Sequence, residues 1–207
     1  MAGSIDTVEL LTAAQAAYRI NGSAMLKEST ADKIANGVMV KAHYYEPTKH
    51  RITIIDDDRT QAVAIRSYIT QRVMLARLAG TPISDFAATI ADAIEKDTVS
   101  LRNIGLLAWA PKVCADLQKA DDTAQKLSLA GIGSNYIGVI GNKVELEFTT
   151  ISRRWSNNYQ CWRYSGHDEH GNLVGFLSKN DYPATVRIKG RIKAQEIGRQ
   201  SQGKTTY

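Results

Sequence analysis

The sequence predicts an α+β protein: a mostly helical first part containing a small β-hairpin, then a small antiparallel β-barrel whose fifth strand is incomplete. Three observations lead there. Apolar residues recur at helical spacing over 60–79 and again over 83–94. After residue 129 the texture changes to period-two alternation broken by turn residues. Charge and aromatic residues are also unevenly placed. Residues 1–135 carry 15 Lys and Arg against 15 Asp and Glu, whereas residues 136–207 carry 11 against 6, which accounts for the whole net charge of +5. The same 72 residues hold 9 of the 15 Phe, Trp and Tyr. The chain is therefore divided into residues 1–129, a helical region suited to oligomerisation or partner binding, and residues 130–207, a basic, aromatic barrel.

In the first part, Asp6 with Glu9 three residues on reads as the N-cap of a helix to Ile20, ended by Asn21 and Gly22. A short helix is expected over 31–35, closed by Asn36 and Gly37. The β-rich runs 38–45 and 50–55 flank Pro47 and predict the hairpin. Residues 60–79 form a strong helix, with Ile65, Ile69 and Val73 on one stripe and Gly80 as its stop. Thr81 and Pro82 supply an N-cap and a first-turn proline for a helix to about residue 96, with Ile83, Phe86, Ala87, Ile90 and Ile94 on its apolar side. A third long segment runs over 99–126, interrupted at Pro111.

The second part opens with a lead-in over 130–136. A first strand, 143–154, alternates Val144, Leu146 and Phe148 against Glu145, Glu147 and Thr149. Residues 155–158 form a turn, and 159–167 a second strand. A hairpin turn follows over 168–172, where Gly171 is free to take positive φ. Residues 173–178 are a third strand. The fourth, 184–197, is the clearest: Val186, Ile188 and Ile192 fall on one face, and Arg187, Lys189, Arg191 and Lys193 on the other, with Gly190 in the apolar row. Residues 198–203 read as a turn and 204–207 as the start of a fifth strand, incomplete at Tyr207, which is expected either to continue in chain beyond the sequence given or to leave an edge for a partner strand. Short meandering strands of this number suggest a small barrel. Their order fits an OB-fold without the helix usual between strands three and four, where only residues 179–183 fill the gap.

The same residues carry a family resemblance. Ser134-Asn-Tyr-Ile-Gly-Val-Ile-Gly-Asn-Lys-Val-Glu-Leu146, then Asp168-Glu-His-Gly-Asn-Leu-Val-Gly-Phe176, then Arg187-Ile-Lys-Gly-Arg-Ile-Lys-Ala194 resemble OB-like modules of bacteriophage and bacterial DNA-metabolism proteins. The resemblance covers about residues 134–207. It implies single-stranded DNA binding in replication, recombination or repair.

Composition sets the outer limits. A chain 43% hydrophobic and 23% charged has the balance of a globular protein. No run approaches ~18 apolar residues, so no membrane span is expected. Residues 1–10 carry two acids and no base, unlike a secretory signal. Cys114 and Cys161, the only cysteines, cannot make a disulfide framework, so a reducing, cytoplasmic compartment is expected (the bacterial host's for a phage-encoded chain).

Candidate sites follow from residue type and spacing. Arg187, Lys189, Arg191 and Lys193 project four cations from one strand face at ~6.6–6.8 Å intervals, near the phosphate repeat of an extended nucleic-acid strand; an ordinary solvated face is the competing account. Trp155, Tyr159, Trp162, Tyr164 and Phe176 are rings on which bases could stack or which could fill the barrel. Strand parity puts Trp162 and Tyr164 on one face and Tyr159 and Arg163 on the other, so one set is exposed beside Arg153, Arg154 and Arg163. Gly198-Arg-Gln-Ser-Gln-Gly-Lys-Thr205 matches the phosphate-loop pattern literally, but only Thr206 and Tyr207 follow where a helix is required, so it reads as a turn. Asp56 and Asp58 after the apolar run 52–55 resemble the first motif of haloacid-dehalogenase-type phosphatases; the preferred account is an acidic helix N-terminus capped by Asp58. His167 and His170 are read as hairpin residues rather than zinc ligands with Cys161, and Cys114 as core.

The functional expectation is a non-catalytic, cofactor-free single-stranded DNA-binding protein, without a metal and forming homo-oligomers. Its partners would be single-stranded DNA, with RNA as the alternative ligand, and other replication or recombination proteins. Its nucleic-acid-binding residues would be Arg153, Arg154, Trp155, Trp162, Arg163, Phe176, Arg187, Lys189, Arg191 and Lys193. The alternatives are a protein-interaction or assembly factor, and a Mg-dependent phosphatase or nuclease using Asp56 and Asp58.

Overall fold

A computed structural model describes residues 3–46, 52–198 and 201–206 and shows an α+β chain. It divides into two compact units, Met1–Gln118 and Lys119–Tyr207.

In the first unit, helix α1 (Thr7–Ile20) starts where Asp6 Oδ1 accepts from the Val8 and Glu9 N–H groups at 2.8 and 3.0 Å. Its alanines 13, 14, 16 and 17 are fully buried with Leu10 and Leu11, so a long neighbour can pack closely. That neighbour is α3 (Asp56–Ala79), whose Ile65, Ile69 and Val73 form the expected buried stripe and whose end at Gly80 is left-handed, φ 61°. The helix begins at Asp56 rather than residue 60 because Asp58 caps it. The Asp58 carboxylate is fully buried, accepts the Ile55 N–H at 3.0 Å, and is gripped by Arg19 Nε and Nη2 at 2.9 Å each.

Two expectations fail between these helices. Residues 31–35 are a bend at 31–32 followed by irregular chain, not helix. Residues 38–45, expected as a strand, lie in helix α2 (Asn36–Tyr45). The cause is tertiary: Asn36 is fully buried, its Oδ1 accepts from Asn21 Nδ2 and from the Leu26 N–H, both at 2.9 Å, and its Nδ2 donates to the Ala24 carbonyl. That network starts a helix at Asn36, Val40 packs into the core, and Tyr44 donates to the Glu9 carbonyl. Packing thus overrides the strand preference of Val and Tyr. Pro47 and His50 lie outside the described residues, and 52–55 run without a ladder partner, so no hairpin is seen among the described residues.

Helix α4 (Asp85–Ile94) is capped by Ser84, whose Oγ accepts the Ala87 N–H at 3.2 Å, three residues beyond the expected Thr81. Ala87, Ile90 and Ile94 are buried as predicted, but Phe86 is exposed. Strands β1 (Ser4–Asp6) and β2 (Thr98–Ser100) pair antiparallel; both are too short to leave a periodic trace. A 3₁₀ turn (Leu101–Asn103) and α5 (Ile104–Leu107) lead to α6 (Ala110–Gly131). Pro111 opens that helix rather than interrupting it, since a first-turn proline gives up no helical hydrogen bond.

The second unit is a sheet ordered β6-β3-β4-β5-β8-β7. Its strands are β3 (Lys143–Ser156), β4 (Cys161–Asp168), β5 (Leu173–Ser178), β6 (Thr185–Arg191), β7 (Ala194–Gly198) and β8 (Ser201–Thr206). Neighbours pair antiparallel except β5 with β8, which are parallel. The core holds Leu146, Phe148, Tyr164, Val174 and Phe176. Two strand expectations are corrected. The fourth strand breaks at Ile192, which is fully buried and exchanges hydrogen bonds with Gly141 and Asn142 instead of continuing the ladder. Residues 201–203, expected in a turn, pair in β8. The expected barrel is not closed: no ladder joins β6 to β7 among the described residues.

One irregularity organises the sheet. The β3–β4 register shifts between Thr150 and Ser152, where Thr150 stands opposite Gly166 of β4 and Ser152 opposite Ser165. A Cβ on Gly166 would collide with the Thr149 carbonyl oxygen and lie 2.8 Å from Phe148 Cζ. The close approach requires glycine, and the extra residue lengthens β3 to Ser156, moving the expected 155–158 turn to 157–160. The following turn matches expectation: Asp168 accepts from the His170 and Asn172 N–H groups at 2.9 and 2.7 Å, and Gly171 has φ 81°.

Gly166→Ala is expected to cost about 3 kcal/mol or more by overpacking, seen as loss of the β-sheet signal in circular dichroism; a variant as stable as the parent contradicts the close approach. Burial pushes the Asp58 pKa up, but the Arg19 and Ile55 hydrogen bonds outweigh it and hold it below the usual carboxylate value. A depressed folded-state pKa contributes stability above the unfolded carboxylate value, and that stability is lost as pH falls through the folded value. Asp58→Asn should cost about 2–3 kcal/mol at neutral pH and flatten the acid limb of an unfolding-versus-pH curve.

Candidate nucleic-acid interface

Strand β6 alternates as predicted: Arg187, Lys189 and Arg191 are exposed, while Val186 and Ile188 are half-buried. Lys193 is exposed but lies beyond the strand, after the break at Ile192. The register on β3 reveals what composition did not. Arg187 stands opposite Glu147, Lys189 opposite Glu145 and Arg191 opposite Lys143. Lys189 Nζ is 3.0 Å from Glu145 Oε2, and Arg191 Nη1 donates to the Gly141 carbonyl at 2.7 Å. The Lys189–Glu145 pair is solvent-exposed on both sides, so it is worth only ~0.2–1 kcal/mol. The acids at 145 and 147 were legible as an alternation; their position under the cations depends on which strand lies beside which.

The shift after Thr150 then sorts the remaining residues. Before it, even-numbered β3 residues face the core; after it, odd-numbered ones do. Arg154 and Arg163 are therefore direct cross-strand neighbours on the same outward face as Arg187, Lys189 and Arg191. Both are exposed, and among the described residues neither is in an ion pair. Arg153 pairs with Tyr164 and Trp155 with Trp162 on the opposite, core-side face. There Trp155 and Trp162 meet edge to face at 5.2 Å, the Arg153 guanidinium stacks 4.5 Å from the Trp162 ring centre, and Arg153 is ion-paired to Asp181. Trp155 is 46% exposed at the end of the core, and Tyr159 is 68% exposed in the adjoining turn.

Phe176 is a correction. It is only 8% exposed, stacked on Tyr164 at 4.8 Å and edge-on to Phe148 at 4.9 Å. Its ring is consumed by the core, because β5 has its even positions inward, and it offers no platform for a base. Tyr164 is likewise core; its hydroxyl accepts from the Tyr182 N–H and donates to the Asn180 carbonyl, tying down residues 179–183.

The other constellations do not assemble a site. Asp58 is fully engaged by Arg19 and Ile55, which removes it as a catalytic partner for Asp56. The phosphate-loop pattern runs from the end of β7 through β8, a strand rather than a helix. No cluster of three metal-ligating side chains occurs among the described residues; His167 Nδ1 is 2.9 Å from the Asp168 carbonyl oxygen, and Cys161 is buried. Cys114 is buried in the helical core, where burial pushes its thiol pKa up to about 11. Among the described residues no helix is long and apolar enough to cross a membrane. Comparison with protein-family models, with curated proteins and with solved structures finds no match to the chain.

Like charges directly opposite in an antiparallel pair are destabilising. Replacing one member, Arg163→Glu, should therefore raise the unfolding free energy by about 0.5 kcal/mol, measured by urea titration. A clear loss of stability contradicts the unopposed Arg154–Arg163 juxtaposition.

Proposed function

We propose that the chain is a non-catalytic single-stranded DNA-binding protein whose second unit takes the strand on the outward face of its sheet. The observation that carries this is the collection of Arg154, Arg163, Arg187, Lys189 and Arg191 on one face, set against Glu145 and Glu147, with Glu169 at their edge accepting the Glu147 N–H. Phosphate contacts supply most non-specific affinity. The exposed rings of Trp155, near the end of β3 on the opposite face, and of Tyr159, in the turn between β3 and β4, lie where the strand could pass over the end of the sheet, and they suit unpaired bases, which present π-faces that a duplex hides. We read the sheet as an OB-like barrel. The parallel pairing of β5 with β8 and the mere two residues between β6 and β7 support treating β6 and β7 as one bent fourth strand bridging β3 and β8. In that reading β8 is the fifth strand.

A role in replication, recombination or repair, homo-oligomers, and partner proteins of those processes go with this reading. The assembly-factor alternative rests on exposed apolar side chains along α3, among them Met74, Leu75 and Leu78.

Fluorescence anisotropy of labelled oligo-dT at two salt concentrations tests the reading. The logarithm of the affinity should fall with the logarithm of salt at a slope near −0.7 per phosphate engaged. Arg187→Glu with Lys189→Glu should weaken binding about a hundredfold or more, while Glu145→Gln should strengthen it. An absent salt slope, or an affinity unmoved by the double reversal, contradicts the proposal and favours the assembly factor.

A further inference from the structure

The helical unit carries a second basic cleft, separate in sequence and chemistry from the sheet. It lies between the 25–27 segment, α2 and the stretch Leu101–Gly105, with a volume of about 630 Å³, inside the ~300–1,000 Å³ range of small-molecule sites. Its charged lining residues are Lys27, Lys41 and Arg102, with no carboxylate among them. Among the described residues none of the three is in an ion pair. Three cations lining one cleft with no acid among the lining residues favour an anion there.

The cleft also presents rings. Trp109 is held edge to face by Phe86 at 5.7 Å, and Lys27 Nζ stands 5.5 Å from its ring centre, so the indole and a cation share one wall. Tyr45, 55% exposed, lines the cleft as well. The floor is kept low by two glycines: a Cβ on Gly37 would meet only the Gly105 Cα, at 3.9 Å, and one on Gly105 would meet nothing within 4 Å. The buried Asn21–Asn36 network holds the 25–27 segment in place by the Leu26 N–H, so the wall is built in advance of any ligand.

We propose that this cleft binds a nucleoside phosphate, with Lys27, Lys41 and Arg102 taking the phosphates and Trp109 and Tyr45 taking the base. The test is anisotropy of a fluorescent ATP analogue labelled on the ribose, titrated with the full chain, and competed with ATP, inorganic pyrophosphate and adenosine. Binding should saturate, and ATP should compete better than either fragment. Lys41→Glu with Arg102→Glu should weaken binding by about tenfold or more, and the milder Lys41→Gln with Arg102→Gln, both on exposed side chains, should weaken it with an unchanged melting curve. Tyr45→Ala should weaken ATP but not pyrophosphate. Arg187→Glu with Lys189→Glu should leave the affinity unchanged, which separates this cleft from the DNA-binding reading. No saturable binding, an affinity insensitive to both Lys41/Arg102 variants, or a loss confined to the sheet variant overturns the proposal. Pyrophosphate competing as well as ATP overturns the assignment to a nucleoside.

Discussion

The close approach of Gly166 to the Thr149 carbonyl, where β3 takes up an extra residue, is the constraint on which the second unit depends. Without a side chain on β4 the two backbones come together, the register shifts, and every residue of β3 beyond Thr150 changes face. Phe148 stays in the core and Trp155 reaches its end, while Arg154 joins the outward cations. A regular ladder would have buried Arg154 beneath the sheet and put Trp155 among the exposed acids. The charge distribution of the surface is therefore set by one backbone contact rather than by the cations themselves.

The helical unit is organised by two buried polar devices. Arg19 and Asp58 join α1 to the start of α3, and Asn21 with Asn36 joins the end of α1 to the start of α2. Asp58 satisfies the Ile55 N–H at the start of α3, and the asparagine pair satisfies the Leu26 N–H and the Ala24 and Ile34 carbonyls of the loop between α1 and α2. Each also decides an element boundary that local propensity places elsewhere. Small alanines along α1 then allow the close packing that the apolar stripe of α3 completes.

Periodic features were legible in the sequence and contact-dependent ones were not. The stripe Ile65, Ile69, Val73, the stop at Gly80, the third strand, the Asp168–Asn172 turn and the alternation of β6 are all repeats or turn chemistry that a single segment carries. Helix α2 lies where Val38, Val40 and Tyr44 locally favour a strand, and only the distant Asn21 makes Asn36 a helix start. The break at Ile192 depends on its hydrogen bonds to Gly141 and Asn142, about fifty residues away in the chain. At the candidate site, the exposed cations of β6 were readable. The opposing Glu145 and Glu147, the burial of Phe176 and the split of Arg153 from Arg154 required the register of β3 against its two neighbours.

Residue-resolved arginine modification, read by mass spectrometry with and without saturating oligo-dT, tests the central claim most directly: that one outward face of the sheet carries the strand. Arg154, Arg163, Arg187 and Arg191 should be protected together, while Arg77 of the helical unit stays reactive. Protection spread evenly over both units, or confined to arginines off that face, would contradict the account.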